Sequence, residues 1–328
     1  MLIIAARRRV SSGRALGFWA AVMWLGAEAL LASPASALAQ DSEGSDPAVL
    51  GGGDAETPDI PLGRQQTTLQ FSIRPYAYHE FETDIDAPGD GTFEWTRVGV
   101  DTQMRMRLSD RVSLSFSVDY THDIYDFGGA SSLGDPWDNI NTLDLGVAIA
   151  VRLDDRWSLF GGPTLKFSAE NGADWDDAVE VGGVVGANYR FSPELNVGVG
   201  FVASTAIEDD ARFFPLILVD WRINDRLTLS SRTAAEFALR NGIELAYQLD
   251  DNWRVGIGFA WEQNRFRLDD EGIAPEGVGE NESLPIWGRL TYQTSQMDLT
   301  VIAGTNVLGE LTLEDRDGNR IAQEDYDP

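Results

Sequence analysis

The sequence predicts an all-β fold: an antiparallel up-and-down transmembrane β-barrel of about 12–14 strands, with short periplasmic turns and longer acidic extracellular loops. Three observations predict it. From Thr67 onward apolar and polar residues alternate with period two, the mark of strands with one apolar face. A short turn phrase returns six times: "RLSDRVSL", "RLDDRWSL", "RFSPELNV", "RINDRLTL", "QLDDNWRV" and, more loosely, "YQTSQMDL". And the chain opens on an export leader.

The leader comes first. Arg7, Arg8, Arg9 and Arg14 form a basic region, Leu16 to Leu31 is largely apolar, and Ala37-Leu38-Ala39 is an A-x-A site. Cleavage before Gln40 is expected, making residues 1–39 a signal peptide. Glu28 interrupts the apolar run, leaving it short of the roughly 20 residues a spanning helix needs. Residues 40–66 are rich in Gly, Asp, Glu and Pro, and are expected to be a flexible acidic periplasmic tail. Residues 67–328 form the expected outer-membrane barrel domain.

Within that domain the alternation marks 13 arms: 67–81, 93–108, 112–125, 140–153, 157–169, 178–191, 195–206, 213–223, 227–238, 242–249, 253–268, 284–292 and 297–305. Apolar residues four apart flank each strong turn, as in Leu153/Trp157 and Leu249/Trp253, so both arms of a hairpin keep the same face apolar. Single-chain barrels normally have even counts. The tail "GELTLEDRDGNRIAQEDYDP", with its Asp317-Gly318 turn signal, is therefore expected to add a tip hairpin or a weak fourteenth strand. Two short arms that are not separate spans would instead give 12.

The faces carry the functional candidates. Lumen-lining positions are Arg97, Asp101, Arg105, Arg107, Asp119, Asp144, Arg152, Glu180, Arg190, Asp220, Arg222, Arg232, Glu236, Glu244, Arg254, Glu262 and Arg289. Two aromatic girdles are expected where amphipathic rings meet the lipid–water interface. Trp157, Trp221 and Trp253 stand beside short turns, and Trp95, Tyr120, Phe167 and Trp261 near the far ends.

Composition excludes several classes. Without residues 1–39, which hold four of the 25 basic and one of the 53 acidic side chains, the net charge is −31. Such a surface repels nucleic acid. Cysteine is absent. Histidine occurs only as His79 and His122, with no hydrolase signature around either, so the chain is expected to be non-enzymatic. No cofactor and no metal site are expected. Asp174, Asp176 and Asp177, or Glu208, Asp209 and Asp210, read as solvated acidic loops.

The runs "FFPLILVDWRINDRLTL", "NGIELAYQLDDNWRVGIGFAWEQNRFRLDD" and "GELTLEDRDGN" resemble a functionally uncharacterised family of bacterial outer-membrane β-barrel proteins. The resemblance implies the fold and the outer membrane, and brings no site residues. Barrels of this kind usually end on a terminal aromatic read by the barrel-assembly machinery. "EDYDP" departs from that, so a missing or atypical closing strand is expected. Expected partners are outer-membrane lipids and the assembly machinery; a protein partner is not indicated. The expected function is a narrow passive channel for small polar solutes or ions. The alternative is a structural or surface-interaction barrel with a lumen closed by Arg–carboxylate pairs.

Overall fold

The strand-forming alternation is realised almost throughout. The computed structural model describes residues 2–11, 69–86, 91–129, 134–231, 241–295 and 297–326. The tail over 40–66 lies outside them, as does most of the leader. Fifteen strands form one sheet: β1 (Leu2–Ser11), β2 (Leu69–Ile85), β3 (Gly91–Arg107), β4 (Val112–Gly128), β5 (Asn139–Arg152), β6 (Trp157–Glu170), β7 (Val179–Ser192), β8 (Leu195–Ala206), β9 (Asp209–Arg222), β10 (Leu227–Ser230), β11 (Asn241–Gln248), β12 (Trp253–Arg267), β13 (Val278–Gln293), β14 (Met297–Glu314) and β15 (Arg320–Tyr326).

β2 to β14 follow one another as antiparallel neighbours. They correspond to the 13 expected arms, although residues 232–238 of the arm expected over 227–238 lie outside the described residues. The ring is closed by two short strands that share one position between β14 and β2. β15 pairs with Gly309–Glu314 of β14 and meets β2 at Tyr326–Ile85. β1 pairs with Met297–Ala303 of β14 and with β2 from Gln70 to His79. Fifteen strands thus occupy 14 positions of a closed antiparallel barrel. The tip hairpin and the weak fourteenth strand, expected as alternatives, are the same element.

The short turns explain the recurring phrase. In four of them, the first turn residue accepts hydrogen bonds from backbone N–H groups two and three positions on. Asp154 Oδ1 accepts from Arg156 N (2.8 Å) and Trp157 N (2.7 Å), and Asp250 Oδ1 from Asn252 N (2.8 Å) and Trp253 N (2.9 Å). Asn224 plays the same part in "RINDRLTL" and Ser109 in "RLSDRVSL". The second acidic residue of the phrase, Asp155 or Asp251, is not needed for this geometry.

Along β3, β4 and β14 the polarity of the two faces inverts. On β3 the short-turn half turns Val98, Val100, Met104 and Met106 outward and Asp101, Gln103 and Arg105 inward. In its far half Phe93 and Trp95 are buried inside while Glu94 is exposed outside. β4 repeats this with Tyr125 inside and Asp126 outside, and β14 with Leu311 and Leu313 inside and Glu310 on the other face. The first half has an apolar exterior suited to lipid. The second has an apolar core and a polar exterior suited to water.

That core gathers Tyr76, Phe93, Trp95, Tyr125, Trp137, Ile140, Phe266, Trp287, Leu311, Leu313 and Tyr326. Trp137 packs edge-on against Tyr125 and Phe266, with ring centroids 5.9 and 5.2 Å away. Tyr326 of β15 packs edge-on against Phe93 at 4.7 Å and donates to Asn281 Oδ1 at 2.9 Å, which fixes the closing strand. Each large side chain buried this way contributes about 1.5–3 kcal/mol.

The far half is also pinched. β12 meets β6 across the barrel in a parallel bridge, Arg267–Ala169. The ring running β12–β13–β14–β15–β2–β3–β4–β5–β6 therefore closes on itself around the aromatic core, leaving β7 to β11 outside it.

One girdle residue is corrected here. Trp95 is 2 % exposed and lies inside, because it shares its strand face with Arg97; it stacks on Tyr125 at 5.5 Å and belongs to the core. Trp157, Trp221, Trp253, Tyr120 and Trp261 are exposed on the outer surface. Phe167 is half-buried and its ring lies 6.1 Å from that of Trp175.

Candidate functional site

The interior of the far half is where charge, burial and topology converge. Three strands bring it together. Arg97, directed inward by the alternation of β3, sets Nε against Asp123 Oδ1 (2.6 Å) and Nη2 against Asp123 Oδ2 (3.2 Å) on β4. Its Nη1 reaches Glu262 Oε1 on β12 at 2.5 Å. Trp95 covers the guanidinium, with Cζ 4.6 Å from the ring centroid. A planar guanidinium that meets one carboxylate with two nitrogens and another with its third is fully used.

A second cluster seals the side of β12 that faces β8 and β9. Arg265 donates to the Ile207 carbonyl (2.7 Å), to Glu280 Oε2 (2.6 Å) and to Glu314. Arg212 of β9 adds contacts to Glu280 and Asp209, and Gln263 bridges Glu280 and Glu282. Arg267 donates to the Glu276 carbonyl (2.8 Å), the Asp177 carbonyl and Glu208. Lys166 of β6 donates to the Arg265 carbonyl at 3.3 Å and lies 3.6 Å from Glu180. These groups tie loop ends and strand ends across the mouth.

Nearer the short turns the interior is paired but less filled. Glu244 is fully buried, accepts from Trp287 Nε1 (3.0 Å) and lies 2.9 Å from Arg289 Nε. Asp101 lies 3.6 Å from Arg74, and Tyr76 donates to Asp119 at 3.1 Å. Arg105, Asp144, Arg152, Arg190, Asp220 and Arg254 are half-exposed on the inward face; Arg107 and Arg222 are exposed at the short-turn rim. Arg232 and Glu236 lie outside the described residues.

The far-end residues that sequence reading missed are Asp123, Trp137, Arg265, Arg267, Glu280 and Tyr326. Parity was the available signal for Asp123, which shares a face with Asp119; the face residues above Arg97 simply become aromatic. Nothing in the local pattern marks Arg265, because its partners come from the β8–β9 turn, β13 and β14.

The histidines form no acid–base pair with the acid beside them. His122 Nδ1 is 3.0 Å from Asn141 Oδ1 and His79 Nδ1 is 2.9 Å from Thr96 Oγ1. Adjacent residues of a strand face opposite ways, so Asp123 lies inside under Arg97 while His122 points out. The acidic loop residues serve the fold: Glu208 holds Arg267, Asp209 holds Arg212, and Asp315 accepts from the backbone of Asp317 and Asn319 in the tip turn. Those tip contacts, the Asn319 N–H first, hold the Asp315 carboxyl below its ordinary range.

No curated protein matches the chain. Residues 136–327, from the loop before β5 through β15, match one protein family over more than half of the chain. The matched span contains β12, β13, β14 and the tip hairpin but not Arg97 or Asp123. On that match the chain belongs to the family described as a domain of unknown function, DUF6268.

Proposed function

We propose that this protein is an exported outer-membrane barrel whose lumen is shut at the outer face, a structural or surface-interaction barrel and not an open pore. The observation that carries the reading is the β6–β12 pinch, with Arg97 bound to Asp123 and Glu262 beneath it. An ion crossing here would have to separate buried, hydrogen-bonded ion pairs, which is costly in a low-dielectric interior. The outer-membrane location is supported by the leader, by the apolar exterior of the short-turn half and by the antiparallel pairing of β2 to β14, which satisfies backbone groups within the sheet. The polar far half then stands outside the bilayer and presents its acidic exterior.

The barrel is read as non-enzymatic and free of cofactors, with outer-membrane lipids and the assembly machinery as its partners. One observation favours a channel: the inward residues of the short-turn half, such as Gln103, Arg105 and Ser115, are half-exposed. On the present reading they line a vestibule that opens only toward the periplasm. Fractionation tests the location. The protein is expected in the outer membrane with heat-modifiable gel mobility, and recovery only as a soluble periplasmic protein contradicts the reading. Liposome swelling tests the shut lumen: vesicles carrying the protein are expected to swell no faster in small sugars than empty ones.

A further inference from the structure

The 13 strands from β2 to β14 alternate in direction, so the first and last of them run the same way. A strand placed between them can be antiparallel to both, and both occupants are. In the outer half β15 fills the gap, with Tyr326 opposite Gly309 on one side and Ile85 on the other. In the inner half β1 fills it: Leu2 faces Ala303 and His79, Ile4 faces Val301 and Ala77, and Arg8 faces Met297 and Ile73.

On the export reading, residues 1–39 leave and the inner half of this slot empties. Its two edges would then present unpaired N–H and C=O groups at membrane depth, which lipid cannot satisfy. Direct closure needs the edges to approach by one strand spacing, about 4.8 Å. β15 opposes that, because Tyr326 holds β14 and β2 a full strand apart at Gly309 and Ile85, six residues above the end of the β1 pairing at Ala303 and His79. We infer that the slot between β2 and β14 is a strand-acceptor site for the free N-terminal segment of another polypeptide, entering from the periplasmic side.

The direction follows from the register. A strand antiparallel to β2 has its N-terminal end beneath β15 and its C-terminal end at the periplasmic rim. Since β15 blocks the top, only a segment that begins a chain can be seated without threading. Composition follows from the walls. The lipid-facing neighbours are Ile73, Ala77, Leu299 and Val301; the inward ones are Arg74, Tyr76, Asp298 and Thr300. The occupant is therefore about ten residues long with apolar side chains at alternate positions. The segment that cleavage would leave first in this chain, "QDSEGSDPAV", is a poor occupant. It would set Asp41, Glu43 or Asp46 in the wall, and Pro47 lacks the donor that a strand flanked on both sides requires.

Absence of native cysteine makes the test direct. Ala77→Cys with Val301→Cys places one thiol on each edge at the rank of Ile4. With a strand between them the two positions are two spacings apart, about 9.6 Å, beyond disulfide reach. The double variant is expressed with its leader and oxidised in isolated outer membranes. No intramolecular disulfide is expected; ready formation shows direct closure and overturns the inference. Ile73→Cys with Met297→Cys repeats the measurement at the rank of Arg8, should the first pair fail to fold. A synthetic peptide with the sequence of residues 2–11 is the binding probe. It is expected to bind the processed, purified protein saturably, and at least tenfold more tightly than the same peptide with Ile4→Asp and Ala6→Asp. Absence of saturable binding overturns the inference. Intact mass separates the two readings: a chain beginning at Gln40 with the disulfide formed defeats only the acceptor site, whereas retention of Met1 defeats the export reading and this inference together.

Discussion

Arg97 on β3 and Glu262 on β12, 165 residues apart in sequence, meet inside the barrel at 2.5 Å. The contact spans the interior and not the wall, since β3 and β12 are not sheet neighbours. It links the half of the ring that carries Trp95 and Tyr125 to the strand that pinches against β6. Removing the guanidinium leaves Asp123 and Glu262 buried without their countercharge. Arg97→Met is therefore expected to destabilise the folded barrel by about 3–5 kcal/mol, measured as a shift of the urea unfolding midpoint in lipid vesicles. Adding Asp123→Leu and Glu262→Leu should recover part of that loss. A loss below about 1 kcal/mol for Arg97→Met would place the pair among weak surface contacts.

Packing around Glu244 gives a second expectation. A Cβ on Gly258 would sit 2.6 Å from Trp287 Cζ2 and 2.8 Å from the Ile243 carbonyl oxygen, so the indole that donates to Glu244 would have to move. Gly258→Ala is expected to cost about 1–3 kcal/mol. Gly288 lies on the outward face of β13, and the nearest atom to its Cβ position is 3.8 Å away. Gly288→Ala should change stability by no more than about 0.5 kcal/mol. Equal effects at the two sites would contradict the packing described for Trp287.

The turns titrate. The N–H groups of Trp157 and Arg156 hold the Asp154 carboxyl below its ordinary range. A depressed pKa means that the contribution to the fold is complete above the unfolded value, about 3.9, and is lost as pH falls through the lower folded value. Amide hydrogen exchange at Arg156 and Trp157 should be pH-independent above about pH 4, apart from intrinsic exchange, and lose protection below it. Asp154→Asn keeps an acceptor and should remove this step. If the Asn variant shows the same step as the native protein, the carboxylate is not its source.

Much of this architecture was legible in the sequence. Period-two alternation located the arms that became β2 to β14, and the turn phrase located the short turns, because strand period and turn chemistry are local properties. Inward parity placed Arg97, Glu244 and Glu262 on one face for the same reason. What was not legible is non-local. Trp95 shares its face with Arg97, yet an aromatic near a strand end reads equally well as an interfacial anchor; only the assembled core of Phe93, Tyr125 and Tyr326 decides for the inside. The β6–β12 pinch rests on a curl of the far strand ends that no alternation encodes. The odd count of arms was visible, but not that two further strands would share the remaining position.

The inversion of face polarity predicts where water begins. Single cysteines at Glu94 and Asp126, on the polar exterior of the far half, should react rapidly with a membrane-impermeant maleimide on whole cells. Cysteines at Val118 and Ile149, on the apolar exterior, should react at least tenfold more slowly. Equal reactivity at all four sites would remove the basis for setting the far half above the bilayer.

Closure of the outer mouth is tested most directly by single-molecule conductance. Protein refolded without the leader and reconstituted in planar bilayers should give no discrete current steps under symmetric salt. Steps of constant amplitude from the native protein would contradict the closed lumen and restore the passive channel.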